Sequence, residues 1–188
     1  MVFSSAISLF FFVPIVFLLD RRLSDVDAKN TWLLLASLVF YSFGQVYYLP
    51  LLLLSVALNY VCGRLAAGKY AKLGVTLAVL GGIGLLAVFK YADFAIRTVN
   101  ALCGLRLPLT GIALPIGISF FTFQGLSYVI DVYREPQTVS RSFKKVLLYI
   151  AFFPQLIAGP IVKYHDIEQE IDSRRTTPQE TALGIRRF

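Results

Sequence analysis

The stretch that decides the fold reads Leu114-Pro-Ile-Gly-Ile-Ser-Phe-Phe-Thr-Phe-Gln-Gly-Leu-Ser-Tyr-Val-Ile-Asp-Val-Tyr-Arg134. It is apolar enough to span a bilayer, opens at Pro115, and closes on Asp131, Tyr133 and Arg134 as at a water interface. Yet Gly117, Ser119, Thr122, Gln124, Ser127 and Tyr128 lie inside it. Polar groups are expensive at membrane depth, so they face protein or a water-filled path and not acyl chains. Gly117, Phe121, Gln124, Tyr128 and Asp131 follow steps of four, three, four and three, which keeps them on one stripe of a helix. The stripe reads as interhelical hydrogen-bond glue or as one wall of a path.

The rest of the chain has the same character. It is 57% hydrophobic with a mean hydropathy of +0.70, well above the balance of a soluble domain. Uncharged stretches cover 1–19, 30–63, 73–89, 107–130 and 146–162. Since one crossing takes about 20 residues, spans are expected at 2–19, 73–89 and 114–133. The 34 residues of 30–63 are too many for one helix, and Gly44-Gln45 interrupts them ahead of Pro50. They predict a hairpin of two short helices, 31–43 and 48–62. The first stretch is not a secretory signal, because Arg21 and Arg22 follow the apolar run and no small-x-small cleavage site follows Leu19. A retained anchor is expected.

Basic residues set the orientation. Arg21, Arg22, Lys29, Arg64, Lys69, Lys72, Arg134, Arg141, Lys144 and Lys145 fall on one face of this arrangement. Only Lys90, Arg97 and Arg106 fall on the other. The positive-inside rule then puts the first set in the cytoplasm and the N-terminus outside. That rule also explains the net charge of +7, which leaves no basic stripe on a soluble face for nucleic acid.

The stretch 146–162 begins as a helix but carries Pro154, Gln155 and then Gly159-Pro160. A full crossing would strand Lys163, Arg174, Arg175, Arg186 and Arg187 on the outer face. A re-entrant segment over 146–160, breaking at Pro154, Gly159 and Pro160, keeps them inside with a cytoplasmic tail over 163–188. In the tail, Thr177-Pro178-Gln179-Glu180 reads as a capped helix start. The expected fold is thus an all-α polytopic transmembrane protein, a single membrane domain over 1–188 with one re-entrant piece.

Other chemistry-bearing residues read blandly. Cys62 and Cys103 fall on opposite faces and make no metal spacing. Gly81, Gly82 and Gly84 lack the strand and Lys-Ser/Thr of a phosphate loop, and read as a close helix contact. His165, the only histidine, reads as an interfacial loop residue.

Leu114–Arg134 and Phe152-Phe-Pro-Gln-Leu-Ile-Ala-Gly-Pro160 resemble the membrane-bound O-acyltransferase family, in its polysaccharide branch. Met1-Val-Phe-Ser-Ser5 and Phe89-Lys-Tyr-Ala-Asp-Phe94 fit the same branch. The resemblance implies an O-acetyltransferase acting on an exopolysaccharide, alginate foremost, with acetyl-CoA as cytoplasmic donor and no bound cofactor. It implies periplasmic acetyltransferase partners alongside membrane lipid. Family members are much longer, so the chain resembles their N-terminal part and the catalytic histidine is expected beyond Phe188. Within this chain the resemblance leaves Gln124, Tyr128 and Asp131 as lining of an acyl path. A non-catalytic scaffold or fragment is an alternative, and so is a small-molecule or lipid transporter, although no inverted repeat is visible.

Reporter fusions test the charge asymmetry. Those placed after Lys72 and after Lys145 should read cytoplasmic, and one near Arg106 external. A cytoplasmic signal at Arg106 would overturn the whole arrangement.

Overall fold

A computed structural model describes residues 6–157, 162–174 and 177–187, and among these the chain is helical, with no strand. A π-helical turn at Ser8–Phe12 leads into α1 (Val13–Arg22). Next, α2 (Val26–Gln45) starts at Asp25, whose carboxylate accepts a 2.9 Å hydrogen bond from the Ala28 N–H. A short 3₁₀ turn at Val46–Tyr48 follows, and Pro50 sits in the first turn of α3 (Leu49–Ala66), where a missing N–H breaks no bond. Both helices run longer than 31–43 and 48–62. A count of uncharged residues leaves out the charged first turn around Asp27 and Lys29 and the last turn at Arg64. With 20 residues, α2 is about 30 Å long, enough to cross the hydrocarbon core.

The two helices form an antiparallel pair. At the start of α2, Asp27 pairs with Lys144, and near the end of α3 the Tyr60 hydroxyl donates to the Arg141 carbonyl at 2.9 Å. The turn between them meets the other end of the molecule, where the Tyr48 hydroxyl donates to the Ala113 carbonyl at 2.7 Å. The bundle therefore has a basic end around Arg64, Arg141, Lys144 and Lys145 and a far end around Gln45, Tyr48 and Leu114.

From the basic end α4 (Ala71–Leu86) runs back, passes through a π-helical turn at Ala87–Tyr91 and continues as α5 (Ala92–Cys103). The T-shaped Tyr48–Phe89 ring pair, 6.0 Å between centroids, places Phe89 level with the α2–α3 turn. The helix expected over 114–133 is α6 (Ile118–Arg134), which begins at Ile118 and not at Pro115. Gly117 stops it short: its φ of 75° is left-handed, and a Cβ there would lie 2.8 Å from the Leu156 carbonyl oxygen.

After α6 come α7 (Phe143–Ala151), α8 (Phe153–Ile157), α9 (Tyr164–Ser173) and α10 (Pro178–Arg187). The limb starts at the basic end with Lys144 and reaches the far end where Leu156 meets Gly117. Val162 lies back at mid-depth beside Gln124, and Arg174 is again at the basic end against Asp20. The described parts of this limb thus enter and leave by one end. Pro154 lies in α8, whereas the expected breaks at Gly159 and Pro160 lie outside the described residues. The capping box of α10 is present. Glu180 takes the Thr177 N–H at 2.8 Å and its hydroxyl at 3.0 Å, which holds its carboxyl below the usual range.

Packing is closest among α3, α4 and α6, around Leu52, Val56, Ala78, Phe121 and Val129. A second cluster joins the π-helical turn before α1 to α2 and α8 through Phe12, Phe40 and Phe153, with ring centroids 5.3–5.5 Å apart. Outward-facing Phe10, Leu54 and Leu80 are each more than 60% exposed, the inversion expected when the solvent is lipid. The segments Val26–Ala66 and Ala71–Cys103 are both long and apolar enough to cross, and the chain is an all-α membrane protein.

The α3–α4 contact rests on Gly74. A Cβ there would lie 2.6 Å from the Cys62 carbonyl oxygen and 2.8 Å from the Ala66 nitrogen, both backbone atoms. Gly84, with nothing within 4 Å, faces outward. Gly74→Val should lower stability by about 1–3 kcal/mol through overpacking, while Gly84→Ala leaves it unchanged. Unfolding in detergent reads both, and equal effects at the two sites would remove the close approach as the cause.

Candidate functional site

The stripe on α6 faces the limb. Phe121 and Tyr128 are fully buried and Gln124 is 6% exposed. The Gln124 amide Nε2 donates to the Val162 carbonyl at 3.2 Å, and the Tyr149 hydroxyl of α7 donates to the same oxygen at 2.7 Å. Val162 lies outside regular structure, so its carbonyl has no helical partner of its own. Two side chains supply what the helix would have supplied.

Below Gln124 the stripe meets an aromatic cluster. The rings of Tyr128, Tyr149 and Tyr164 pack together, with Tyr164 5.2 Å from each of the other two. All three are among the most buried large side chains. The Tyr128 hydroxyl accepts from the Ser140 N–H at 3.2 Å, tying the α6–α7 connection to the same stripe. Asp131 is partly exposed at the basic end, where the Ser127 hydroxyl approaches its carboxylate at 3.5 Å. Gln124, Tyr128 and Asp131 thus lie along one side of the limb. The first two are in protein contact and hydrogen bonded.

The α7–α8 break is also satisfied from outside. Phe152 leaves helical geometry, with ψ 116°, and the next N–H, that of Phe153, donates to the Ser37 hydroxyl of α2 at 3.2 Å. Ser37 in turn donates to the Leu33 carbonyl at 2.7 Å. Beside this break, a cavity of about 200 Å³ lies between α2, α7 and α9, lined by Leu33, Tyr149, Phe152, Gln155, Glu170 and Arg174 among others. The Gln155 Oε1 has no hydrogen-bond partner among the described residues. Gln124, Tyr128 and Asp131 do not line this cavity.

At the basic end α9 is clamped. Asn30 donates to the Ile171 carbonyl at 2.7 Å and accepts from Arg174 at 2.6 Å, while Arg174 also reaches Asp20 at 3.3 Å. Lys145 pairs with Asp172. Asn30 is only 3% exposed, so the clamp has a buried centre. Spacing offered no sign of this cluster, whose members come from α1, α2, α7 and the end of the limb. Its one legible hint is an amide, Asn30, at the mouth of an apolar stretch.

His165 is exposed and takes no part in any of these contacts. Among the described residues no group of three His, Cys, Asp or Glu is placed to hold a metal ion. Cys62 is buried in α3 and Cys103 exposed at the end of α5.

The chain is similar along its whole length to curated relatives. It is 39% identical over 197 residues to a probable alginate O-acetylase AlgI of Pseudomonas syringae, and 38% identical over the same length to that of Azotobacter vinelandii. These alignments take in all of this chain but 38% and 39% of the relatives. A peptidoglycan O-acetyltransferase of Helicobacter pylori is 31% identical over 221 residues, covering 98% of this chain and 42% of its own. No family model matches the chain, and no solved structure matches it significantly. The chain spans about two fifths of the length of these relatives, in their N-terminal part. Resemblance to membrane O-acetyltransferases therefore extends over the whole chain.

Removing the upper bond of the stripe should cost little. Gln124→Leu nearly keeps volume and suits an apolar setting, so the loss is one interhelical bond of about 0.6 kcal/mol, at most about 1.7. Tyr149→Phe should behave alike, and the pair should lose more than the sum, since together they orphan the Val162 carbonyl. Strict additivity in an unfolding cycle would break the link to a shared acceptor.

Proposed function

We propose, taking that end-to-end kinship as the premise, that this chain is the N-terminal part of a membrane O-acetyltransferase. It passes acetyl groups from a cytoplasmic donor, acetyl-CoA, across the inner membrane for O-acetylation of an exopolysaccharide, alginate foremost. The carrying observation is the identity of 38–39% with alginate O-acetylases of several organisms, over all of this chain. Acyl transfer of this kind requires a general base, and sequestration protects an activated acyl group from water. In this reading the base lies in the part of the protein that corresponds to the longer relatives, and His165 is not it. The residues described here supply a wall: α6 and the limb, closed over their polar groups by Gln124, Tyr128 and Tyr149.

The basic end is the cytoplasmic side in this proposal, so the cavity beside Gln155 lies on the donor's side. Asp131, partly exposed, stands at the same end outside the cavity lining. Periplasmic acetyltransferase subunits complete delivery to the polymer. A second acceptor deserves a place beside alginate, because the Helicobacter pylori relative is named for peptidoglycan.

Deleting the gene should abolish the O-acetyl signals of the exopolysaccharide in proton NMR. Loss from peptidoglycan alone would move the acceptor there, and unchanged acetylation of both polymers would overturn the reading. The purified 188-residue chain should turn over no acetyl-CoA. Turnover that disappears with His165→Ala would refute the placing of the base elsewhere.

A further inference from the structure

Beyond Phe89 the chain leaves the bundle. α5 packs appreciably only on the turn that precedes it, and none of its residues is buried. Its 12 residues extend about 18 Å. The chain then returns through Gly104, left-handed at φ 64°, and rejoins the bundle where Tyr48 holds the Ala113 carbonyl. Residues 92–113 thus form an arm at the far end.

The arm has closed its own polar side. Asp93 accepts from the Thr110 N–H at 2.7 Å and from its hydroxyl at 2.5 Å. Asn100 and Leu107 exchange two bonds, at 3.0 and 2.9 Å. Both acceptor side chains lie on one arc of α5, three to four residues from Arg97. A neighbouring arc holds Ala92, Ile96, Val99 and Cys103 in steps of four, three and four, flanked on the side away from Arg97 by Ala95 and Leu102. Leu102 is 81% exposed, and Leu105, Leu107 and Leu109 of the return are 45–48% exposed. Among the described residues nothing covers Val99, Leu102 and Cys103, all of which are exposed.

We propose that the arm is a membrane-surface element: α5 lies in the headgroup region of the leaflet at the far end, its Val99–Leu102–Cys103 arc in the acyl chains. Three observations on the arm favour lipid over water or a soluble partner. It begins three residues past Phe89, within one turn of the level where the spanning helices turn, so the leaflet surface is its immediate surroundings. Its charged residues are Asp93, Arg97 and Arg106, with Lys90 in the turn just before it, and the one anion is satisfied internally by Thr110. Surplus cations suit an anionic lipid surface. Tyr91 and Phe94, 50% and 68% exposed, stand at the start of α5 as interfacial aromatics do. The π-helical turn at Ala87–Tyr91 supplies the point at which a spanning helix can change direction.

Cys103 makes the test direct. It is exposed, whereas Cys62 is 1% exposed, so a nitroxide label should enter at one site per chain. If Cys62 also reacts, Cys62→Ala removes it. The protein is reconstituted in vesicles of phosphatidylglycerol and phosphatidylethanolamine, and relaxation by oxygen and by a water-soluble nickel chelate is compared. Labels at Cys103, and at Leu102→Cys with Cys103→Ala, should favour oxygen over nickel several-fold more than a label at Ala101→Cys with Cys103→Ala, on the opposite arc. Nickel access at all three positions would put the arm in water. Protection from both agents at Leu102 and Cys103 would mean that protein covers the face. Either result overturns the proposal.

Discussion

Everything in this structure answers to one constraint: a backbone that leaves helical geometry among apolar helices must have each freed N–H and C=O satisfied by something other than water. The limb from Phe143 to Ser173 is outside helical geometry at two described points within it, Phe152 and Val162. At the first point Ser37 takes the Phe153 N–H, and at the second Gln124 and Tyr149 supply the Val162 carbonyl. Without these three side chains the Phe153 N–H and the Val162 carbonyl would lose the partners that satisfy them. A polar residue in α2 and another in α6 therefore satisfy the backbone of a segment far away in sequence.

The remaining forces divide by depth. In the middle the limb is held by shape, with three tyrosine rings packed together, and at the far end Gly117 lies against the Leu156 carbonyl. At the basic end, Arg174 ties the end of the limb to Asp20 and Asn30, and Lys145 holds Asp172. The exposed pairs, Lys144–Asp27 among them, contribute little individually because water screens them. The Asn30–Arg174 bond is different, since Asn30 is buried and an unpaired amide there would be costly. The clamp thus fixes the place of α9 more than it adds to stability.

What could be read from the chain follows the range of the interactions. The stripe of α6, the α2–α3 pair, and the Thr177–Glu180 box depend on residues at most a few turns apart, and periodicity, Pro50 and a four-residue motif carry them. The start of α6 is not legible locally, because Pro115 suits a first turn whereas Gly117 is fixed by the carbonyl of Leu156, far along the chain. Asn30 and Arg174 are 144 residues apart, and Ser37 and Phe153 are 116 apart. No spacing announces such pairs. The amphipathic arc of α5 was legible in principle, but 73–89 ended the span at the first lysine and left the arm as a connection.

The orphaned polar atoms sharpen the picture of what α6 does. Among the described residues, Asn59 Oδ1 on α3 and Thr122 Oγ1 on α6 are buried without hydrogen-bond partners. Asn59 already donates its Nδ2 to the Ser55 carbonyl at 2.8 Å and presses against Gly125, where a Cβ would lie 2.4 Å from that nitrogen. Thr122 presses against Gly82, whose Cβ would lie 3.0 Å from its methyl. Each polar side chain sits opposite a glycine, so the helices approach closely enough to exclude lipid from the polar atoms even where no bond is formed. α6 thus uses glycine contacts towards α3 and α4, and hydrogen bonds towards the limb. The first face needs rigidity, because it packs helix on helix. The second must accept a non-helical backbone, and only polar side chains can do that. This division explains why the most polar apolar stretch of the chain is also its central helix.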